Sequence, residues 1–310
     1  MKWLAALPVL ALLLVGCSVP PEHACLRDAL EDIRLGPATV LYRDREDALN
    51  RVSTGTPVNR LDYALLPQRA ASLTKPLVAH AVADASLDLD APAFDPATRS
   101  TNPAVASISL RHLLTHTSGF DPAISGDPLF FFDPQPGQPS EPDCRRAARY
   151  IARSTPNHAP GNVASYSNAG YCHLGVWLSG HPLPRGLASA LAHPLGGAGG
   201  WHSRLSTLYR ALETTLPTTH VGRGPSLPDG SHYDLGWRHT PTEGPEQPVW
   251  THYGELPGMF AVGLANDSGT LVLAYFKERP SRPGAVVAAL KETVWTCLEK
   301  DARGGQVTRR

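Results

Sequence analysis

Lysine is scarce in this chain. Only positions 2, 75, 277, 291 and 300 carry it, among 28 basic residues in 310, so arginine supplies most of the positive charge. Formal net charge is zero and no run of like charges occurs, which removes the electrostatic footprint of a nucleic-acid binder. There is no CxxC pair or Cys/His spacing of the metal-site kind, no GxSxG of an α/β-hydrolase elbow, and no internal repeat. His112 and His116 stand four apart without the glutamate of HExxH or a third ligand, and read as core or capping histidines. No metal and no organic cofactor is expected. The six tryptophans read as core rather than as substrate platforms.

Long apolar runs are equally absent except at the start. Lys2 supplies a short positive region, Trp3 to Val15 is apolar but too short to span a bilayer as a helix, and Leu14-Val15-Gly16-Cys17 follows. This pattern resembles a bacterial lipoprotein signal (residues 1–17) with Cys17 as the lipidated residue. The alternative is a plain secretory signal with an incidental cysteine, and on either reading the chain is exported. Ser18 after the cysteine resembles lipoproteins sent to the outer membrane, which implies a periplasmic domain over residues 18–310 that meets the membrane through its lipid.

Four cysteines remain, an even number that suits an oxidising compartment: Cys25, Cys144, Cys172 and Cys297. They allow three connectivities. Cys25–Cys297 with Cys144–Cys172 is preferred because it joins the chain ends and separately staples a middle segment, with buried free thiols as the alternative.

Gln68 to Ala83 reads as a turn and then a helix, with Ser72 near its start, Leu77, Val78 and Val82 on its buried face, and Pro76 in the first turn, where a missing N–H costs least. Ile108 to Leu114, Ala147 to Arg153 and a segment from Ala169 to Leu178 are further helices. Residues 121–143 are rich in Pro and Gly around Phe130-Phe131-Phe132, which suits either a loop packed over a cleft or one tucked onto its own domain. Met259 to Ala265 and Thr270 to Phe276 are strands about an Asn266-Asp267-Ser268-Gly269 turn, and Thr39 to Arg43 is a shorter one. Pro283 opens a last helix with Val287, Leu290, Val294 and Cys297 on one face. Strands at both ends with helices between them predict an α/β fold: an antiparallel sheet interrupted by a helical insertion.

The chemistry gathers in three short motifs. Ser72-Leu73-Thr74-Lys75 sets a hydroxyl and an amine one helical turn apart, and it is the only serine followed by a lysine three residues on. A serine needs a base to take its proton and donors to hold the oxyanion it creates; an ammonium can lose its proton where a guanidinium cannot. Tyr166-Ser167-Asn168 follows Pro160-Gly161, and His252-Tyr253-Gly254 precedes Pro257-Gly258. In this order and at these separations, the three resemble the SxxK, YxN and KTG or HxG motifs of the serine beta-lactamase and penicillin-binding-protein family, in its class C and DD-peptidase branch. Leu87 to Pro92 and Leu113 to Phe120 also resemble connecting segments of that branch, so the likeness runs from about Ala38 to the final helix.

The resemblance implies a beta-lactamase/DD-peptidase-like fold: an antiparallel sheet flanked by N- and C-terminal helices (about 26–66 and 200–300) with an all-helical subdomain inserted (about 67–199). It implies that Ser72 is the acylated nucleophile, Lys75 its proton partner, Tyr166 a second acid/base sharing a proton with Lys75, and Asn168 a binder of the substrate amide. The N–H groups of Ser72 and Glu255 would form the oxyanion hole, and Gly254 would leave room for substrate along the strand edge. His252 stands where lactamases usually carry lysine; a partly charged imidazole would hold a substrate carboxylate less firmly and with pH. The stretch between Tyr171-Cys172-His173-Leu174-Gly175 and Gly199-Gly200-Trp201-His202-Ser203 is also shorter than usual. Both departures favour a D-alanyl peptidase or esterase over a true beta-lactamase, acting on a small-molecule, peptide or peptidoglycan-derived substrate. The alternative is a catalytically silent envelope protein that keeps the fold to bind a partner.

Overall fold

The computed structural model describes residues 23–86, 88–130, 142–216, 224–241 and 249–298. The signal segment with Cys17, and Phe131 and Phe132, lie outside the described residues. Nine strands are assigned: β1 Ala38–Arg43, β2 Leu49–Ser53, β3 Gln68–Arg69, β4 His202–Ser203, β5 His232–Asp234, β6 Trp237–His239, β7 Trp250–Leu256, β8 Met259–Ala265 and β9 Leu271–Phe276. Seven form an antiparallel sheet in the order β2-β1-β9-β8-β7-β6-β5. The β8–β9 turn closes because Asn266 Oδ1 accepts from Thr270 N (2.9 Å) and Ser268 Oγ (2.8 Å). Thr270 is thereby held in the turn, and β9 starts one residue later than its composition suggests.

The sheet is buried on both faces, and residues alternate between two cores as the period of two requires. Val40, Phe260, Val262, Val272 and Phe276 join Leu26 and Leu30 of the helix Ala24–Asp32 and Leu290 of the helix Pro283–Glu292. Leu41, Ala261 and Leu273 join the larger core shared with the remaining helices. A second sheet, β3 paired with β4, closes an excursion in which the described residues contain helices and no strand. Thr74–Ala85, Cys144–Arg153, Asn168–Leu178 and Gly196–Gly199 are the helices that matter for the site. Disulfides join Cys25 to Cys297 and Cys144 to Cys172.

Two elements begin later than their periodicity predicts, for local reasons. Gln68–Arg69 pairs with β4, and Ala71–Leu73 is a 3-10 turn, so the α-helix opens at Thr74 with Pro76 inside its first turn. Ser109 caps Leu110–Leu114 reciprocally: its N–H donates to His112 Nδ1 (3.1 Å) and its hydroxyl accepts from His112 N (3.3 Å). Residues 121–130 form two short turns, Pro122–Ser125 and Pro128–Phe130.

Candidate active site

Ser72 sits on the 3-10 turn, and the turn is pinned from outside. Ala70 N donates to Trp201 O (2.9 Å), Trp201 N to Thr74 Oγ1 (3.0 Å), and Thr74 Oγ1 to Ala71 O (2.8 Å). These bonds hold Ala71 at φ +48°, a left-handed conformation that costs an L-residue about 1–2 kcal/mol. Such strain persists where surrounding structure over-determines it. The turn presents Ser72 to a cleft of about 750 Å³ whose lining includes Tyr166, Asn168, His252, Tyr253 and Glu255.

Lys75 is fully buried. Its Nζ donates to Ser72 Oγ (3.0 Å), Asn168 Oδ1 (2.8 Å) and Ala198 O (2.7 Å). Three acceptors match the three N–H groups of an ammonium, so its positive form is satisfied although buried. Burial nevertheless pushes its pKa down to about 7, against a smaller upward pull from the Asp127 carboxylate. Near neutrality the amine form is therefore well populated, with its lone pair free to accept from Ser72.

Tyr166 donates its hydroxyl to Ser72 Oγ (2.7 Å), and Lys75 Nζ lies 4.8 Å from its ring centre. Desolvation raises this phenol's pKa well above 10, and Tyr233 adds to the rise. Tyr166 is a neutral donor. Its ring packs against His116 (4.6 Å between centres), whose Nδ1 accepts from Ser167 N (3.1 Å). His116 is thus a support for Tyr166, buried and held neutral by desolvation.

Asn168 opens its helix one turn from Tyr171 and Cys172. Its carbonyl oxygen is taken by Lys75, and an amide N–H donates to Asp127 Oδ2 (2.7 Å). It can meet a substrate only through its remaining N–H, a narrower role than the resemblance implies. Asp127 also accepts from Leu129 N through Oδ1 (3.0 Å), which ties the turn carrying Leu129 and Phe130, both cleft residues, to the Asn168 amide.

Strand β7 forms the opposite wall. Thr240 N donates to Val249 O (2.8 Å) and Arg238 pairs with Thr251, so the backbone groups of odd-numbered residues face β6. Pairing with β6 stops at Thr251, and the same alternation points the Glu255 N–H out of the sheet's ladder on the cleft side. Gly254 is required for a different reason from the one expected. A Cβ there would lie 2.4 Å from Ala70 O and 2.8 Å from Ser72 N, so the space is filled by the turn that carries Ser72.

The partly charged imidazole expected at 252 is also corrected. His252 is buried, and desolvation, then Lys75 and Arg238, lower its pKa to about 3. It is neutral at physiological pH, and neither ring nitrogen has a hydrogen-bond partner within the protein. Among the described residues no group of His, Cys, Asp and Glu is arranged to hold a metal. Sequence reasoning missed Asp127 and the Ala198 carbonyl: the first lies 41 residues from Asn168 and the second accepts through backbone alone, so neither carries a local signal. His116, read from the sequence as a core or capping histidine, is a core one.

The comparisons with known proteins bear on the family and the fold. The family model described as Beta-lactamase matches residues 34–205. The D-amino acid amidase from Ochrobactrum anthropi SV3, complexed with L-phenylalanine amide, superposes with TM-score 0.66 over 92% of this chain and 98% of that one, at 15% identity. The D-stereospecific amidohydrolase from Streptomyces sp. gives TM-score 0.58 over 87% and 98%, at 21% identity. The putative fimbrial assembly protein FimD, serogroup D, of Dichelobacter nodosus is 32% identical over 108 residues, 34% of this chain. The chain spans about a quarter of the length of that curated relative. With the family model covering more than half its length and the site assembled as described, the chain belongs to the beta-lactamase family.

Proposed function

We propose that the protein is a serine hydrolase that forms an acyl-enzyme on Ser72 from an amide or ester, of the D-alanyl peptidase or esterase kind rather than a true beta-lactamase. The observation that carries this reading is the meeting at Ser72 Oγ of a buried amine at 3.0 Å and a neutral phenol at 2.7 Å. Lys75 in its amine form takes the Ser72 proton as Oγ attacks the carbonyl carbon, becoming an ammonium whose other two N–H groups already rest on Asn168 and Ala198. The N–H groups of Ser72 and Glu255 receive the oxyanion. Tyr166 then passes its hydroxyl proton to the leaving group and is reprotonated from Lys75. Water releases the acyl group by the reverse sequence.

The neutral His252 supports the ranking, because it offers no fixed charge beside the nucleophile for a lactam carboxylate. Two fold relatives named for D-amino acid amides and D-stereospecific hydrolysis point the same way. A fluorophosphonate probe should label the full chain and fail to label Ser72→Ala; a silent binding protein would give no adduct in either. D-Ala-D-Ala peptides, chromogenic esters and nitrocefin then separate the three substrate classes. Lipidation of Cys17 and a periplasmic place on the outer membrane belong to the same proposal, and a Cys17→Ser chain should leave the membrane fraction.

A further inference from the structure

Lysine 291 is one of the five in the chain, and it lines the same cleft as Ser72. It comes from the helix Pro283–Glu292, whose Gly284, Val287 and Ala288 line the cleft with it, at the i, i+3, i+4 and i+7 spacing of a single helix face. The cleft wall therefore runs from an apolar strip to an ammonium.

Charge on that wall does not balance. Among the described lining residues outside the nucleophile group, the cations are Arg238, Arg279 and Lys291, and the anions are Asp229 and Glu255. Arg238 is paired with Asp229 and donates to Ser231 Oγ (2.7 Å); Arg279 is paired with Glu255 at 3.0 Å. Lys291 Nζ has no hydrogen bond or ion pair among the described residues. Its pKa is lowered, first by desolvation and then by the neighbouring Arg238, against an opposing pull from Asp229, the carboxylate already paired with Arg238. A cation in a partly desolvated wall that shares its nearest carboxylate with an arginine is stabilised when a further anion arrives to pair with it.

We propose that the Lys291 end of this helix face seats a carboxylate on the substrate, with an apolar part of the substrate lying on Val287 and Ala288. This deepens the hydrolase reading and rests on it, naming the substrate class as acyl donors that carry an anion. The probe pair is p-nitrophenyl hydrogen adipate and its methyl-capped neutral counterpart, used on the full chain. The acid should be preferred in kcat/KM, mainly through KM, and Lys291→Met should cut the acid-over-neutral ratio about tenfold. Lys291→Glu should invert the preference. An unchanged ratio in Lys291→Met, or an equal fall for both esters, overturns the proposal. Because absent turnover would instead indict the Ser72 reading, binding of adipate to Ser72→Ala is measured with and without Lys291→Met. Binding lost with Lys291 sustains the anion seat whatever the chemistry at Ser72, and binding indifferent to it overturns the seat.

Discussion

Lys75 lies buried behind Ser72 and His252 lines the cleft in front of it, and burial acts on both in the same direction with opposite consequences. Lowering an ammonium from 10.5 to about 7 brings a base into working range; lowering an imidazole to about 3 removes it from titration. The pH dependence of kcat/KM for a neutral ester follows. The active form is the amine, so activity should rise with pH through about 7 and then level, with no second inflection near 6.5 from His252. Asp127 pulls the Lys75 pKa upward, so Asp127→Asn should move that limb to lower pH while lowering the plateau through a misoriented Asn168. A limb that stays put in Asp127→Asn, or one that disappears in His252→Asn, contradicts this assignment. Ser72 and Lys75 were legible in the chain because three residues along a helix bring hydroxyl and amine together, whereas Tyr166, 94 residues on, was legible only through the resemblance. The charge states were not, since desolvation is set by what packs around a group and not by its neighbours in sequence.

At the scale of elements, the site depends on how closely β7 approaches the turn Ala71–Leu73. Only glycine permits it at 254, where a Cβ would enter the Ala70 carbonyl at 2.4 Å. Gly236 does the same service on the other side of the helix start: it has φ +79°, and a Cβ there would lie 2.8 Å from the Lys75 carbonyl. Gly254→Ala must push the turn away, costing roughly 1–3 kcal/mol of stability. Because a displacement of about 1 Å at the reacting atoms can cost on the order of a hundredfold in rate, activity should fall far more than stability suggests. Urea unfolding beside kcat/KM checks this; a Gly254→Ala enzyme with near-normal turnover would show that the close approach is not needed. Strands β1, β8 and β9 and the helices near the motifs were readable from period and turn residues, as with Asn266 to Gly269, whereas the short β2, β5 and β6 carried too few residues to show a period. The 3-10 turn was not, because it is imposed by bonds from Trp201, 127 residues beyond Thr74 in the sequence.

Across the whole molecule the two disulfides divide the labour. Cys25–Cys297 closes a separation of 272 residues and ties the terminal helices together over the core face remote from Ser72. Cys144–Cys172 closes 28 residues, joining the helix Cys144–Arg153 to the one that begins at Asn168. Cys144 also packs on the Gly196–Gly199 turn, where a Cβ at Gly196 would meet its Sγ at 2.9 Å, and that turn supplies the Ala198 carbonyl to Lys75. In the chain-entropy account the stabilisation grows with the logarithm of loop length, so the longer loop should contribute about 2 kcal/mol more. Cys25→Ala with Cys297→Ala should therefore lower the unfolding free energy further than Cys144→Ala with Cys172→Ala. The order should reverse for catalysis: the second pair holds both Asn168 and Ala198 in place, and its loss should reduce kcat/KM several-fold more than the loss of the first. Denaturant melts and ester turnover on the two double variants decide it, and equal rankings in both assays would show that the middle staple does not position the lysine's acceptors.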